Sequence, residues 1–255
     1  MAAMLATHGL SVSFGGLRAV DGVDLVVDAG QLVGLIGPNG AGKTTCIDAV
    51  TGFVDSTGKV LLDGQEIQGL RPDRRARAGV ARTWQGQELF DDLTVYENVR
   101  VAGERLNAWE ALGNVLRPRR TRYLPEVDEA LERFGLTHLS QRMPAQLGHA
   151  ERKLVGVARA LAARPKVICM DEPAAGLDAA ESRHLGRQLR ELVAGGVAIL
   201  LVDHDMGLVL GTCDHVYVAE FGKVIAEGSP AKVRRDARVI ASYLGEKAAP
   251  QKATA

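Results

Sequence analysis

Apolar and polar positions alternate through residues 5–27 in two runs separated by Phe14-Gly15-Gly16-Leu17, the pattern of two antiparallel strands joined by a tight turn. An unbroken apolar run follows, Leu32-Val33-Gly34-Leu35-Ile36, as a strand buried on both faces requires. Helical spacing begins around Cys46-Ile47-Asp48-Ala49-Val50; residues 59–64 read as a strand and turn, and residues 71–78 as a helix with Pro72 in its first turn. Residues 80–84 are strand-like and end at Gln85. From residue 93 to about residue 164 apolar positions recur at three and four, as in 127–134 and 154–161, which predicts an inserted helical lobe. Strand and helix then alternate: residues 167–170, a helix over 179–194, a strand over 198–202, a short helix from Met206, and strands near Val216 and Val224. This order implies an α/β fold with a mostly parallel sheet covered on both faces. No element is assigned around Pro118, and the Ala- and Lys-rich stretch from Lys247 is expected to be disordered.

Composition narrows the class without changing it. With 255 residues, 46% of them apolar, the chain can bury one large domain or a domain with a substantial insertion. Aromatics make up 4% while glycines number 29, which favours an aliphatic α/β core with many tight turns over a β-sandwich. Lys plus Arg equals Asp plus Glu at 31 each, so no net charge argues for nucleic acid as a partner. Arginines cluster at Arg71, Arg74, Arg75 and Arg77 and again at Arg117, Arg119, Arg120 and Arg122; both runs read as solvated faces. Cys46, Cys169 and Cys213 lack metal-type spacing, and Cys169 reads as core packing within a buried strand. No apolar segment approaches the roughly 20 residues that span a bilayer, and no signal-peptide pattern opens the chain, so a cytoplasmic location is expected.

The chemistry is concentrated first in Gly37-Pro38-Asn39-Gly40-Ala41-Gly42-Lys43-Thr44-Thr45, which fills every fixed position of G-x-x-x-x-G-K-[ST] between a strand-like run and a helical one. Glycines at 37, 40 and 42 let backbone amides converge, and with the helix N-terminus they can cradle anionic oxygens. Lys43 then reaches the terminal phosphates of a nucleotide, and the Thr44 hydroxyl can ligate magnesium. Strand 167–170 runs into Asp171-Glu172-Pro173, where Asp171 suits magnesium held through water and Glu172 suits the general base that polarises the attacking water. Alone, such a pair can merely cap a turn; beside an intact phosphate loop it points to phosphoryl transfer. His204, just past the strand at 198–202, is expected at the same sheet edge, where its imidazole can hydrogen-bond the γ-phosphate.

The order of phosphate loop, Gln85, helical lobe, Asp171-Glu172, Ala175-Gly176-Leu177-Asp178 and His204 resembles the nucleotide-binding subunits of ATP-binding cassette transporters. More narrowly, Phe14-Gly15-Gly16-Leu17, Ala81-Arg82-Thr83-Trp84-Gln85, Leu93-Thr94-Val95-Tyr96-Glu97-Asn98-Val99, Asp171-Glu172-Pro173-Ala174-Ala175-Gly176-Leu177 and Ala241-Ser242-Tyr243-Leu244-Gly245-Glu246 resemble the cassettes of branched-chain amino-acid importers; urea and amide importers have similar subunits. The resemblance implies one cassette over residues 1–246, with a RecA-like core over about 1–92 and 165–246, an N-terminal antiparallel β subdomain and a helical lobe over about 93–164. It implies ATP and Mg2+ as ligands, with Phe14 stacked on adenine beside Val20, Gln85 touching the metal and the attacking water, and Asp178 in a loop that meets a partner cassette. The implied assembly is a homo- or heterodimer of cassettes beneath two transmembrane permeases, served indirectly by an extracytoplasmic solute-binding protein and peripheral on the inner face of the membrane. Trp84 stands where this family usually has phenylalanine.

One segment departs from the family. The signature loop, L-S-G-G-Q in a typical cassette, corresponds to Leu147-Gly148-His149-Ala150-Glu151. Gly148 has no hydroxyl to give a phosphate across the dimer, and Ala150 adds a methyl where bare backbone is expected. Three classes of function compete. The leading one is an ATP-hydrolysing importer subunit. A weakly hydrolysing regulatory cassette of a heterodimer is favoured by the altered signature and opposed by Glu172 and His204. A soluble cassette acting on nucleic acid or ribosomes is opposed by the zero net charge and the importer-like segment after Gln85.

Overall fold

The computed structural model describes residues 3–83, 89–103 and 124–248, which fall into two compact units, Met1–Gln85 with Lys166–Ala255, and Gly86–Pro165. The first unit holds two sheets. Strands β1 (Ala3–Phe14) and β2 (Leu17–Asp28) form a hairpin around Gly15-Gly16, and β1 also pairs antiparallel with β4 (Thr57–Leu62), which β5 (Gln65–Glu66) extends. The second sheet contains β3 (Leu32–Ile36), β6 (Val80–Thr83), β7 (Val167–Asp171), β8 (Ala198–Val202), β9 (His215–Glu220) and β10 (Lys223–Gly228) in the order β10-β9-β3-β8-β7-β6. All its pairings are parallel except β9 with β10.

The expectation of covering on both faces holds, with one addition. Helix α1 (Lys43–Thr51) and the antiparallel sheet together fill one face: Cys46, Ile47, Ala49 and Val50 join Val33, Leu35, Val167, Cys169, Leu200 and Val202 in a core that also takes Leu5, Leu10, Leu25 and Val60. Two later helices, Ala179–Ala194 and Met206–Thr212, belong to the other face, where Gly34 leaves room for Val209 and Cys213; a methyl at 34 would lie 2.7 Å from Val209 Cγ1. Cys46 and Cys169 are fully buried, and burial pushes both thiols up to about 12, which makes them core filling.

Arg75 corrects the expectation of a solvated arginine face. In α2 (Pro72–Ala78), Arg71, Arg74 and Arg77 are exposed, but Arg75 is buried. Its Nη1 donates to the carbonyls of Ala49 and Val50 at 2.7 and 2.8 Å, and its Nε to that of Leu70 at 2.9 Å. Carbonyls at the end of a helix lack intrahelical partners and carry negative partial charge, so a guanidinium there is favoured. Gly52 caps α1 in the left-handed region at φ 84° and leaves the space: a methyl on it would meet Arg75 Nε at 2.9 Å.

The second unit is helical. Helices α3 (Val95–Gly103), α4 (Pro125–Arg133) and α5 (His149–Ala162) bury Val95, Val99, Val127, Leu131, Val155 and Ala158. Asn98, fully buried, donates to the carbonyls of Phe90, Leu93 and Thr94 and accepts from the Phe90 amide, which fixes the chain entering α3. Back in the first unit, α6 (Ala179–Ala194) and α7 (Met206–Thr212) follow β7 and β8, and α8 (Pro230–Val233) and α9 (Ala237–Ala248) follow β10. The last helix runs two residues into the stretch expected to be disordered. The arginines at 117–122 lie outside the described residues.

Replacing Arg75 by methionine keeps the stem and removes the guanidinium's hydrogen bonds to the carbonyls of Ala49, Val50 and Leu70, which is expected to lower stability by about 2–3 kcal/mol in urea unfolding. A loss below about 0.5 kcal/mol would show that these carbonyls find other partners.

Candidate functional site

Register brings the chemistry together. Leu35 of β3 and Asp171 of β7 both pair with Val202 of β8, so the three strands end within one residue of one level, β3 running on to Ile36. The next residues, Gly37, Glu172 and Asp203-His204, therefore leave the sheet side by side, at the carboxyl edge where open α/β sheets bind ligands.

The phosphate loop is held from behind. Gly37 has φ 152°, and a methyl on it would lie 2.0 Å from the Ala219 carbonyl oxygen; one on Gly42, φ 90°, would lie 2.2 Å from that of Ala19. A methyl on Gly40, φ 78°, would have nothing within 4 Å. Two glycines are thus fixed by backbone packed behind the loop, and one by conformation alone. Asn39 and Gly40 are exposed. Lys43 is buried, its ammonium donating to the carbonyls of Gly37 and Pro38 at 2.8 and 2.9 Å, so the loop is pre-shaped around the cation that would meet phosphate. Phe14 is 54% exposed, whereas Val20 is buried in the core with its methyl close behind Gly42.

Thr44 Oγ1 lies 3.4 Å from Asp171 Oδ1. Asp171 is 1% exposed, and burial raises its carboxyl above the usual range, opposed chiefly by the Arg82 guanidinium. Its other oxygen, Oδ2, is buried without a hydrogen-bond partner. The Thr44 hydroxyl and the Asp171 oxygen that faces it suit a small hard cation that completes its shell with water and phosphate, while Oδ2 is turned to the Arg82 guanidinium 3.6 Å away. No group of three or more His, Cys, Asp or Glu able to hold a metal occurs among the described residues.

Glu172 sits at φ 48°, an uncommon conformation for a residue with a side chain, and its amide donates 2.7 Å to Val202 O. That conformation costs on the order of 1 kcal/mol, the kind of strain that collects at functional positions. His204 is 62% exposed, with Nδ1 3.7 Å from Glu172 Oε1 and 3.8 Å from Asp203 Oδ1. Two residues not singled out from sequence hold this arrangement. Asp203, fully buried, accepts from the amides of Ala174 and Asp205 at 2.9 Å each, tying the turn after β7 to the turn after β8. Arg82, on β6, pairs with Asp48 and Asp171. A lone arginine inside a core strand was the available signal for the second; the first lies hidden in an acidic turn.

Asp178 is the N-cap of α6, accepting from the amides of Ala180 and Glu181, and these bonds hold its carboxyl below the usual range. In the helical unit, Gly148 and His149 are exposed at the start of α5, and Glu151 accepts from the Gly148 amide at 2.7 Å. A side chain at 148 would meet only Glu151 Oε2, at 3.5 Å, while Ala150 falls in the first turn. Gln85 lies outside the described residues.

The ABC transporter family profile matches residues 20–175, and a profile for branched-chain amino acid ATP-binding cassette transporters matches residues 223–249. The chain belongs to the ABC transporter family. Among relatives of this ABC cassette, BraF of Pseudomonas aeruginosa, a high-affinity branched-chain amino acid transport ATP-binding protein, is 41% identical over 250 residues, 95% of this chain and 98% of BraF. LivG of Escherichia coli, described in the same words, is 40% identical over the same shares. The crystal structure of the ADP conformation of MJ1267, an ATP-binding cassette of an ABC transporter, is 32% identical with a TM-score of 0.84, covering 96% of this chain and all of that one. The expected fold, a cassette with a mostly parallel core sheet and an antiparallel β subdomain, and the expected ATPase class agree with this membership.

The two kinds of loop glycine separate in stability. Gly37→Ala forces backbone against backbone and is expected to cost about 3 kcal/mol in urea unfolding, and Gly40→Ala about 1 kcal/mol from conformation alone. Equal losses would show that the packing behind Gly37 yields.

Proposed function

We propose that this chain is the ATP-hydrolysing subunit of an importer for branched-chain or related hydrophobic amino acids. The observation that carries the reading is the convergence of Lys43, Thr44, Asp171, Glu172 and His204 at one sheet edge. The substrate class is supported by the segment at 223–249 and by the names of the relatives.

In this reading Phe14 stacks on adenine, and the amides of residues 37–45, with Asn39 and Thr45, wrap the phosphates. Lys43 exchanges its carbonyl partners for phosphate oxygens. Thr44, Gln85 and Asp171 hold Mg2+, which supplies positive charge against the phosphate oxygens. Glu172 takes the proton of the attacking water as that water bonds to the γ-phosphorus and the bond to the bridging oxygen breaks. His204 donates to the γ-phosphate and Gln85 orients the water. None of this requires the protein to react covalently; the chemistry is positioning and charge.

The cassette works in a dimer, with Asp178 in the loop facing its neighbour and residues 148–151 closing on the neighbour's nucleotide. Two permeases hold the dimer at the inner face of the membrane, and a solute-binding protein acts through them. No helix among the described residues is long and apolar enough to cross a membrane, which fits a subunit held by others. The exposed Gly148, without a hydroxyl, favours a second reading in which this chain supports its neighbour's hydrolysis poorly.

Two substitutions test both readings in the complex purified with its captured permeases. Glu172→Gln is expected to slow ATP hydrolysis by about 100-fold or more while ATP binding persists. In a heterodimer whose other cassette has a normal signature, inactivating that cassette's matching glutamate is expected to remove little; equal losses sink the asymmetry. Gly148→Ser, which the space at 148 admits, is expected to raise turnover by about tenfold through one charge-assisted hydrogen bond of roughly 1.5 kcal/mol. Unchanged turnover would mean that the hydroxyl is not what limits this cassette.

A further inference from the structure

Arg82 is the charged residue of β6, and its side chain is 6% exposed. β6 and β7 pair in parallel with Arg82 opposite Cys169, and Cys169 faces α1 in the core. Neighbours across a sheet share a face, and so do residues two apart on a strand, so Arg82, Cys169 and Asp171 all point to the α1 side. There the guanidinium joins three elements. Nη1 pairs with Asp48 Oδ1 and lies 3.5 Å from Thr51 Oγ1, both on α1. Nη2 lies 3.6 Å from Asp171 Oδ2. The guanidinium carbon is 5.8 Å from the centre of the Phe53 ring, just past the same helix.

This arrangement divides the two oxygens of Asp171. Oδ1 faces the Thr44 hydroxyl at 3.4 Å, and Oδ2 faces Arg82. The arginine is anchored on Asp48, five residues after Lys43 on the helix that the phosphate loop feeds. A single cation therefore braces the strand that carries Asp171 against the helix that carries Thr44. Two carboxylates and one guanidinium leave one negative charge, on the residue proposed to hold the metal. Arginine suits this post because its fork can engage two carboxylates at once, which a lysine ammonium on its flexible stem does less well.

We propose that Arg82 is a positioning residue for the magnesium pair: by bridging Asp48 and Asp171 it holds the Asp171 carboxylate toward Thr44 and so sets how tightly the cassette takes Mg2+ with its nucleotide. The inference rests on the reading of Thr44 and Asp171 as metal-holding residues. It separates two functions that share one site. The phosphates are gripped by residues 37–45, while Arg82 acts on the carboxylate; losing Arg82 weakens the response to metal and leaves the grip on phosphate. Partners that orient a metal-binding carboxylate commonly change metal affinity by 10- to 100-fold when removed.

The test uses the full chain, a fluorescent ATP analogue, and urea unfolding of every variant. Affinity is measured in EDTA and across a Mg2+ series. Arg82→Met is expected to stay within about twofold of wild type in EDTA. The Mg2+ concentration that gives half of the metal-dependent gain is expected to rise about tenfold. Arg82→Lys, which keeps the charge without the fork, and Asp48→Asn, which removes the anchor, are expected to raise that midpoint by about threefold. A wild-type Mg2+ midpoint in Arg82→Met overturns the proposal, and so does an equal loss of affinity in EDTA and in Mg2+, the mark of a merely structural brace. Should Arg82→Met fail to fold, the lysine and asparagine variants decide: raised midpoints in both support the proposal, and wild-type midpoints in both overturn it. If wild-type affinity gains nothing from Mg2+, the metal reading of Thr44 and Asp171 falls, and with it the role assigned to Arg82.

Discussion

The constraint on which the rest depends is the shared register of β3, β8 and β7. A parallel strand displaced by one residue would turn its side chains to the opposite face, and β3 resists that displacement at Gly34, where Val209 and Cys213 leave no room for the larger neighbours a slip would bring. Because Leu35, Val202 and Asp171 lie in one row, three segments distant in sequence end together. Burial sets the row, and the row sets the chemistry. Glu172, Asp203 and His204 then need only short turns to face the phosphate loop, and those turns are tied by Asp203 to the amides of Ala174 and Asp205.

The core concentrates charge where water is absent. Lys43, Arg82, Asp171 and Asp203 are all largely buried, and each is bonded or paired inside the first unit. Even when partnered, buried charges recover little more than their desolvation cost, so stability alone does not account for this constellation. A single cation against Asp48 and Asp171 limits the repulsion that two carboxylates would otherwise exert on each other. The same low dielectric that makes the arrangement costly strengthens its grip on phosphate.

Most of the fold was legible because the periods are long and clean. Residues 179–194 and 198–202 emerge as helix and strand at the limits that their spacing indicates, and the phosphate loop lies where its flanking pattern requires. What was not legible depends on contacts between distant segments. Nothing in the run around Arg75 distinguishes it from its exposed neighbours until α1 presents its last-turn carbonyls at Ala49 and Val50. Arg82 acquires its partners through sheet pairing and Asp203 through two turns, neither of which has a period. The resemblance sets Val20 beside Phe14 at the adenine, yet Val20 on β2, opposite Val12, is buried, while Phe14, at the end of β1, is exposed.

The same logic bears on the two halves of the proposed catalytic cycle. Residues proposed to act on the chain's own nucleotide belong to the first unit and are locked by sheet register, by the packing behind Gly37 and Gly42, and by the Arg82 brace. Residues proposed to act on the neighbour's nucleotide belong to the helical unit, where Gly148 and His149 stand exposed at a helix start and Gly148 is bonded locally by Glu151. Substitution in the first set disturbs buried partners; substitution in the second disturbs almost none. A signature that departs from its family while the phosphate loop keeps every fixed position is what this difference in physical constraint permits. The space around Gly148 admits a side chain, so in the proposed dimer the constraint on that position comes from the nucleotide of the partner cassette and not from packing within this chain.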